Sequence, residues 1–189
     1  MSSFTLHLLR HGEPEGAGRL LGRSDARPTS AGIAACVERA CGLAVHGLIS
    51  SDLQRASKAA RAIGGSLGLP VTIDPRWREM DFGAWDGLAT TQIDNAALGR
   101  FWTNPDANPP PDGETWSTLV KRVTAAIDAL PSRPTLAVTH GGAMRAALAA
   151  LCGFDHRQVW AFDLPYAALL SLKLWRGDAP SAQIIGLRS

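Results

Sequence analysis

The stretch FTLHLLRHG, residues 4–12, decides how this chain is read. Phe4 to Leu9 is short and mostly apolar, then gives way abruptly to Arg10, His11 and Gly12. A run of that kind reads as a buried strand entering a loop. The same punctuation recurs late in the chain, where TLAVTHGG (135–142) predicts a strand over 135–139 that ends at His140 and Gly141. In an open α/β sheet the ligand crevice lies beyond the carboxyl ends of the strands. Two strand-end histidines therefore converge on one crevice if their strands are neighbours. Glycine after each histidine lets the backbone approach a ligand and offer N–H donors to an anion, which makes Gly12 and Gly141 candidates for that contact.

Working outward, residues 13–27 are rich in Gly, Arg and Pro and read as a loop. Thr29 or Ser30 can cap a helix over 31–45. A strand over 47–50 follows. Ser51 or Asp52 then caps a second helix, with Leu53, Ala56, Ala60 and Ile63 at helical spacing. Gly64, Gly65 and Gly68 are expected to weaken its end and Pro70 to stop it. A short strand is predicted over 71–73, an ordered loop over 76–88 and helices over 90–102, 114–130 and 142–151. The proline-rich segment 104–113 cannot be regular structure. Strands over 167–175 and 183–187 close the chain and, being close in sequence, predict an antiparallel edge. Alternating strands and helices indicate an α/β domain with helices packed on a sheet. The chain reads as one domain, 1–189, with a loop or lid region around 76–116.

Composition sets bounds on function. The chain has 189 residues, of which 46% are hydrophobic and 19% charged, which suits a packed core rather than disorder. A formal charge of +2 without a clustered basic stripe argues against a nucleic-acid partner. No run of about 18 apolar residues predicts a membrane span. The opening MSSFTLHLLRHGE does not resemble a signal peptide, so a cytoplasmic enzyme is expected. Cys36, Cys41 and Cys152 are odd in number and form no C-x-x-C pair, which favours free thiols over a disulfide framework or a zinc site. His7 and His11 lack further ligands at metal spacing. His46 and His156 are expected to be solvated near helix ends.

Two more motifs carry chemistry. SSDLQRA (50–56) follows a strand and opens a helix, placing Arg55 in the first turn, where the helix dipole favours an anion. A lone arginine there is more often just solvated. REMDFGAWDG (78–87) places Glu79 and Asp81 among aromatic residues, where a carboxyl can be kept protonated as a proton donor. An exposed loop carboxylate is an equally good reading of that piece alone.

Taken in order, LLRHGE (8–13), SSDLQRA with the alanines that follow it, REMDFGAWDGL (78–88) and VTHGGAMRA (138–146) resemble the histidine phosphatase superfamily, also called phosphoglycerate mutase-like. The resemblance spans most of the chain. It implies a three-layer α/β/α sandwich with a mixed central sheet. It implies that His11 is the nucleophile that becomes phosphorylated, that Arg10, Arg55 and His140 bind the phosphoryl oxygens, and that Glu79 donates the proton to the leaving oxygen, with Asp81 the runner-up. A small-molecule phosphomonoester is the implied partner, with no metal or other cofactor.

The chemistry agrees with those roles. A phosphomonoester is close to a dianion at neutral pH, its second pKa being about 6. Arginines fork onto such oxygens through charge-assisted bonds. Fixed cations stabilise the charge spread over a transferring phosphoryl group. The nucleophilic histidine must attack as neutral imidazole.

Within the superfamily, 61 positions separate Glu79 from His140, shorter than the mutases usually carry there. The segment FWTNPDANPPPDGET (101–115) resembles the α-ribazole phosphatases of cobalamin synthesis in particular. Asp86, Asp112 and Thr115 depart from the Glu, Gly and Ser usual in that group, and DARPT (25–29) departs from its D-x-P-L-T. A mutase that returns the phosphoryl group to a sugar acid, and a binding module that has lost catalysis, remain open alternatives. Trp85, Trp102 and Trp116 read as core or as the floor of a pocket for an aromatic substrate.

Overall fold

The computed structural model describes residues 3–177 and 181–189. Its six strands are β1 (Ser3–Arg10), β2 (Gly47–Ser50), β3 (Val71–Ile73), β4 (Thr135–Thr139), β5 (Leu169–Trp175) and β6 (Ser181–Arg188). They form one sheet in the order β3-β2-β4-β1-β5-β6. β3, β2, β4 and β1 run parallel, while β5 pairs antiparallel to β1 and β6 antiparallel to β5. The fold is the mixed α/β sandwich expected, with the antiparallel edge where the sequence put it.

The helices are α1 (Ser30–Ala40), α2 (Gln54–Leu67), α3 (Asn95–Thr103), α4 (Trp116–Asp128) and α5 (Gly141–Cys152). Side chains alternate across the strands, so neighbouring residues serve different layers. Leu136 and Val138 join Cys36, Ala56, Ala60 and Ile63 of α1 and α2 on one face. Leu6, Leu8 and Ala137 join Leu119, Val123, Met144 and Leu148 of α4 and α5 on the other.

Four local expectations are corrected. α1 ends at Ala40 rather than 45, because Gly42 takes the left-handed conformation (φ 75°) and turns the chain out. Gly64 and Gly65 lie inside α2 and do not fray it. Gly64 lets the helix settle on the sheet, since a Cβ there would come 2.7 Å from the Leu69 carbonyl. The cap of α2 is Leu53, not Ser51 or Asp52, and its side chain satisfies no helix N–H. Instead the Asp25 carboxylate accepts from the Gln54 N–H at 2.6 Å, so a residue of the early loop stands in for the cap. The predicted helix over 90–102 is a 3₁₀ turn at Thr90–Gln92 followed by α3. Thr29 and Thr115 cap α1 and α4 through their hydroxyls.

Candidate active site

β1 and β4 are neighbours and parallel, so the loops leaving them emerge side by side. The backbone N–H of His11 donates to the Thr139 carbonyl at 2.8 Å, which fixes the two strand ends in register. The His11 and His140 rings consequently meet edge to face, with centroids 4.9 Å apart. Both rings are buried.

Their protonation follows from their partners. His11 Nδ1 lies 2.7 Å from the Gly12 carbonyl oxygen, which can only accept, so Nδ1 carries the hydrogen and Nε2 keeps its lone pair. Arg55 Nε donates to His140 Nδ1 at 3.2 Å. An arginine can only donate, so the His140 hydrogen sits on Nε2, which reaches Ser51 Oγ at 2.9 Å. Burial holds His11 well below its usual value of 6.5, helped by the Arg55 and Arg10 cations against the pull of the Gly12 carbonyl. Burial likewise depresses His140, with Arg55, His11 and Arg10 adding to it. Both imidazoles are neutral at physiological pH.

Arg55 is wholly buried and spends most of its donors on the protein. Nη1 donates to the Ser24 carbonyl, and Nη2 to those of Leu21 and Gly22, at 2.7–2.9 Å. Of its five N–H groups these contacts leave one on Nη1. The same loop is held from the other side by Asp86, whose carboxylate accepts from the Gly22 and Ser24 N–H groups at 2.8 and 2.7 Å. Asp86, Arg55 and His140 thus form one connected frame around residues 21–24.

Arg10 donates from Nη1 to the Leu164 carbonyl at 2.6 Å and lies 4.3 Å over the Tyr166 ring, while its buried Nε has no partner. Glu79 Oε1 accepts from the Met80 N–H at 2.8 Å and Oε2 from the Gly142 N–H at 3.1 Å, at the start of α5. Asp81 is turned away, paired with Arg23 at 3.2 Å and capping the Gly83 N–H. Glu79 is therefore the carboxylate that faces the site. Arg122 fixes the strand of chain that carries it, donating to the carbonyls of Arg76, Arg78 and Glu79 and to the Glu114 carboxylate.

Two cavities adjoin. The smaller, about 110 Å³, is lined by Arg10, His11, Arg19, Glu79 and Tyr166, among others. The larger, about 230 Å³, shares Arg10, Glu79 and Phe82 with it and is otherwise walled by Phe101, Trp102, Trp116, Trp160, Gly141 and Arg145, among others. Trp102 and Trp116 thus serve a pocket, as one of the two readings had it, whereas Trp85 is core. His156 is not simply solvated, since it lines this pocket and lies 3.0 Å from the Thr103 carbonyl. Gly12 has a structural reason to be glycine, because a Cβ there would come 2.0 Å from the Gly32 carbonyl of α1. Gly141 lets arginines close over the helix start, with Arg145 Nη1 and Arg10 Nε at 3.3 and 3.5 Å from where its Cβ would stand.

Sequence reasoning missed Arg19, Tyr166, Trp160 and Arg145. Arg145 lies within the quoted VTHGGAMRA, one helical turn after Gly141, and that i+4 spacing was the available signal. Nothing in the local sequence marked Trp160 or Tyr166. Among the described residues no group of three or more His, Cys, Asp or Glu is placed to hold a metal ion.

Comparison with known proteins identifies the family. The family model of the histidine phosphatase superfamily (branch 1) matches residues 6–184. A glucosyl-3-phosphoglycerate phosphatase of Mycolicibacterium vanbaalenii is 35% identical over 166 residues, covering 78% of this chain and 74% of that protein. A candidate phosphoglycerate mutase, GpmB, of Salmonella arizonae is 34% identical over 172 residues, covering 82% and 77%. The crystal structure of a candidate α-ribazole-5′-P phosphatase from Escherichia coli superposes with a TM-score of 0.84 at 25% identity, covering 98% of this chain and 96% of that one.

Proposed function

This chain belongs to the histidine phosphatase superfamily and is a phosphatase, and we propose that it hydrolyses a small-molecule phosphomonoester through a phosphohistidine at His11, without a metal. One observation carries the reading: His11, Arg10 and Glu79 line a single small cavity, and the hydrogen bond to Gly12 directs the His11 lone pair to Nε2.

In the first step Nε2 of His11 attacks phosphorus, the N–P bond forms and the P–O bond to the leaving group breaks. Glu79 gives a proton to the departing oxygen. In the second step Glu79 takes a proton from water, the oxygen attacks phosphorus and the N–P bond breaks, releasing phosphate and restoring His11. Arg10 meets the phosphoryl oxygens. Arg55, through its remaining N–H, adds to the positive charge that a metal would otherwise supply, and neutral His140 holds Arg55 Nε in place. The half-reactions need neutral imidazole, which burial and the two arginines favour.

The larger cavity receives the leaving group. Its aromatic walls fit a flat, apolar body, which supports α-ribazole 5′-phosphate as a substrate. A phosphorylated sugar acid is the second reading. It is favoured by Arg145, a cation on that wall. The test is phosphate release from α-ribazole 5′-phosphate, 3-phosphoglycerate, common sugar phosphates and p-nitrophenyl phosphate, with EDTA throughout and His11→Ala as control. Release that survives EDTA and vanishes in the variant is expected. Release abolished by EDTA, or retained by His11→Ala, would refute the mechanism.

A further inference from the structure

The charge balance of the larger cavity is incomplete. Arg145 projects from the second turn of α5 and lies 4.0 Å over the Trp160 ring. Its two contacts to backbone carbonyls, Gly141 and Phe162, are both 3.4 Å long, at the weak end for a hydrogen bond. Its Nε is buried without a partner. The acids nearest to it in effect are Glu79 and Asp163, yet neither forms an ion pair with it among the described residues. Glu79 is already engaged by the Met80 and Gly142 N–H groups.

A half-buried guanidinium held by poor hydrogen bonds is costly unless something else pairs with it. Arg10 and Arg145 flank Gly141, one at the boundary of the small cavity and the other within the large one. The phosphoryl group, bonded to His11, uses Arg10. That leaves Arg145 facing the leaving group, against the half-exposed Trp160 ring.

We propose that Arg145 selects substrates whose leaving group carries a carboxylate, with Trp160 holding the guanidinium plane in place. A carboxylate is planar and takes two parallel N–H bonds from such a fork, which a hydroxyl or ring nitrogen cannot do. The proposal rests on the phosphatase reading above for the placement of the phosphoryl group. It favours an acid-bearing leaving group over the neutral one of α-ribazole 5′-phosphate. Arg145 acts on the substrate's distal end and is a specificity residue, not a participant in phosphoryl transfer.

Phosphonates test this without turnover. Dissociation constants are measured by calorimetry for benzylphosphonate and its 2-, 3- and 4-carboxy derivatives, on the native protein and on Arg145→Gln and Arg145→Lys. Each protein's own ratio is the readout, so a general loss of affinity cancels. At least one carboxylated isomer is expected to bind the native protein about tenfold more tightly than benzylphosphonate. That ratio should fall towards one in Arg145→Gln and lie between in Arg145→Lys, which keeps the charge and loses the fork. No preference for any isomer, a preference that survives Arg145→Gln, or an equal weakening of all four ligands would overturn the assignment. Hydrolysis of phenyl phosphate is followed in parallel. Its absence would count against the phosphohistidine reading, while the binding ratios would still decide the role of Arg145.

Discussion

Gly142→Ala isolates Glu79 without touching it. A Cβ on Gly142 would stand 2.1 Å from Glu79 Oε1 and 3.2 Å from its Cδ, with Leu119 Cδ2 at a comfortable 3.6 Å. The atoms in the way belong to the end of a flexible side chain, so the carboxylate swings aside while the backbone stays. In moving, it forfeits the N–H groups of Met80 and Gly142 that now aim it. Glu79 is half-buried, so water replaces much of that loss, at a net cost of about 1 kcal/mol. Alanine in a helix recovers up to about 1 kcal/mol over glycine. Stability should therefore change by no more than about 1 kcal/mol.

The catalytic effect should be far larger and selective. A positioned general acid contributes about 10²- to 10⁴-fold. Its value depends on how badly the leaving oxygen needs a proton, so an alkyl phosphate should lose most of that factor and p-nitrophenyl phosphate much less. Thermal unfolding checks the first claim. Rates on p-nitrophenyl phosphate and glycerol phosphate check the second, with the nitrophenolate burst separating the first half-reaction from the hydrolysis that follows. Equal losses on both leaving groups in the first half-reaction, or full activity on both, would refute the role given to Glu79.

Three further outcomes follow from buried polar groups. His11 and His140 are held neutral in the fold but protonate near 6.5 when unfolded, so the unfolded state binds more protons below that pH. Stability should be fully present above pH 6.5 and fall as pH drops, by up to about 1.4 kcal/mol per pH unit for each histidine; urea unfolding at pH 7.5 and 5.5 measures it, and the slope should shrink in His140→Asn. Asp86→Ala removes two acceptors from the loop that Arg55 also holds, so it should cost about 2 kcal/mol and lower kcat/KM several-fold. Asp86→Glu should restore part of both. Arg122→Met leaves the Glu114 carboxylate, only 7% exposed, without its partner and should destabilise by about 3–5 kcal/mol. Adding Glu114→Gln should recover some of that in a double-mutant cycle, and independence of the two changes would contradict the pairing.

How far the sequence could be read depended on whether a feature was local. The two strand-end histidines were legible because an apolar run and its interruption are neighbours in the chain, and so were the sheet edge and, as one of two candidates, the hydroxyl cap at Thr29. α1 was read too long because the apolar residues beyond Ala40 continue a pattern that the left-handed Gly42 breaks. α2 was read with the wrong cap because its first N–H is satisfied by Asp25, 29 positions upstream. Periodicity carries no trace of a partner that distant.

The site divides along the same line. His11, Glu79 and His140 sit in motifs where residue type and position together announce their chemistry. What surrounds them is assembled from segments that meet only in the fold: Asp86 on residues 22–24, Tyr166 under Arg10, Trp160 over Arg145. Arg145 shows the difference most plainly. Its place in VTHGGAMRA could be read from spacing alone, but its lack of an ion pair among the described residues could not, because that is a property of everything packed around it. A sequence can therefore name the reaction of such an enzyme well before it names the leaving group, since phosphoryl transfer needs a few fixed groups at strand ends while recognition is spread over walls supplied by α3, α4, α5 and the loop after α5.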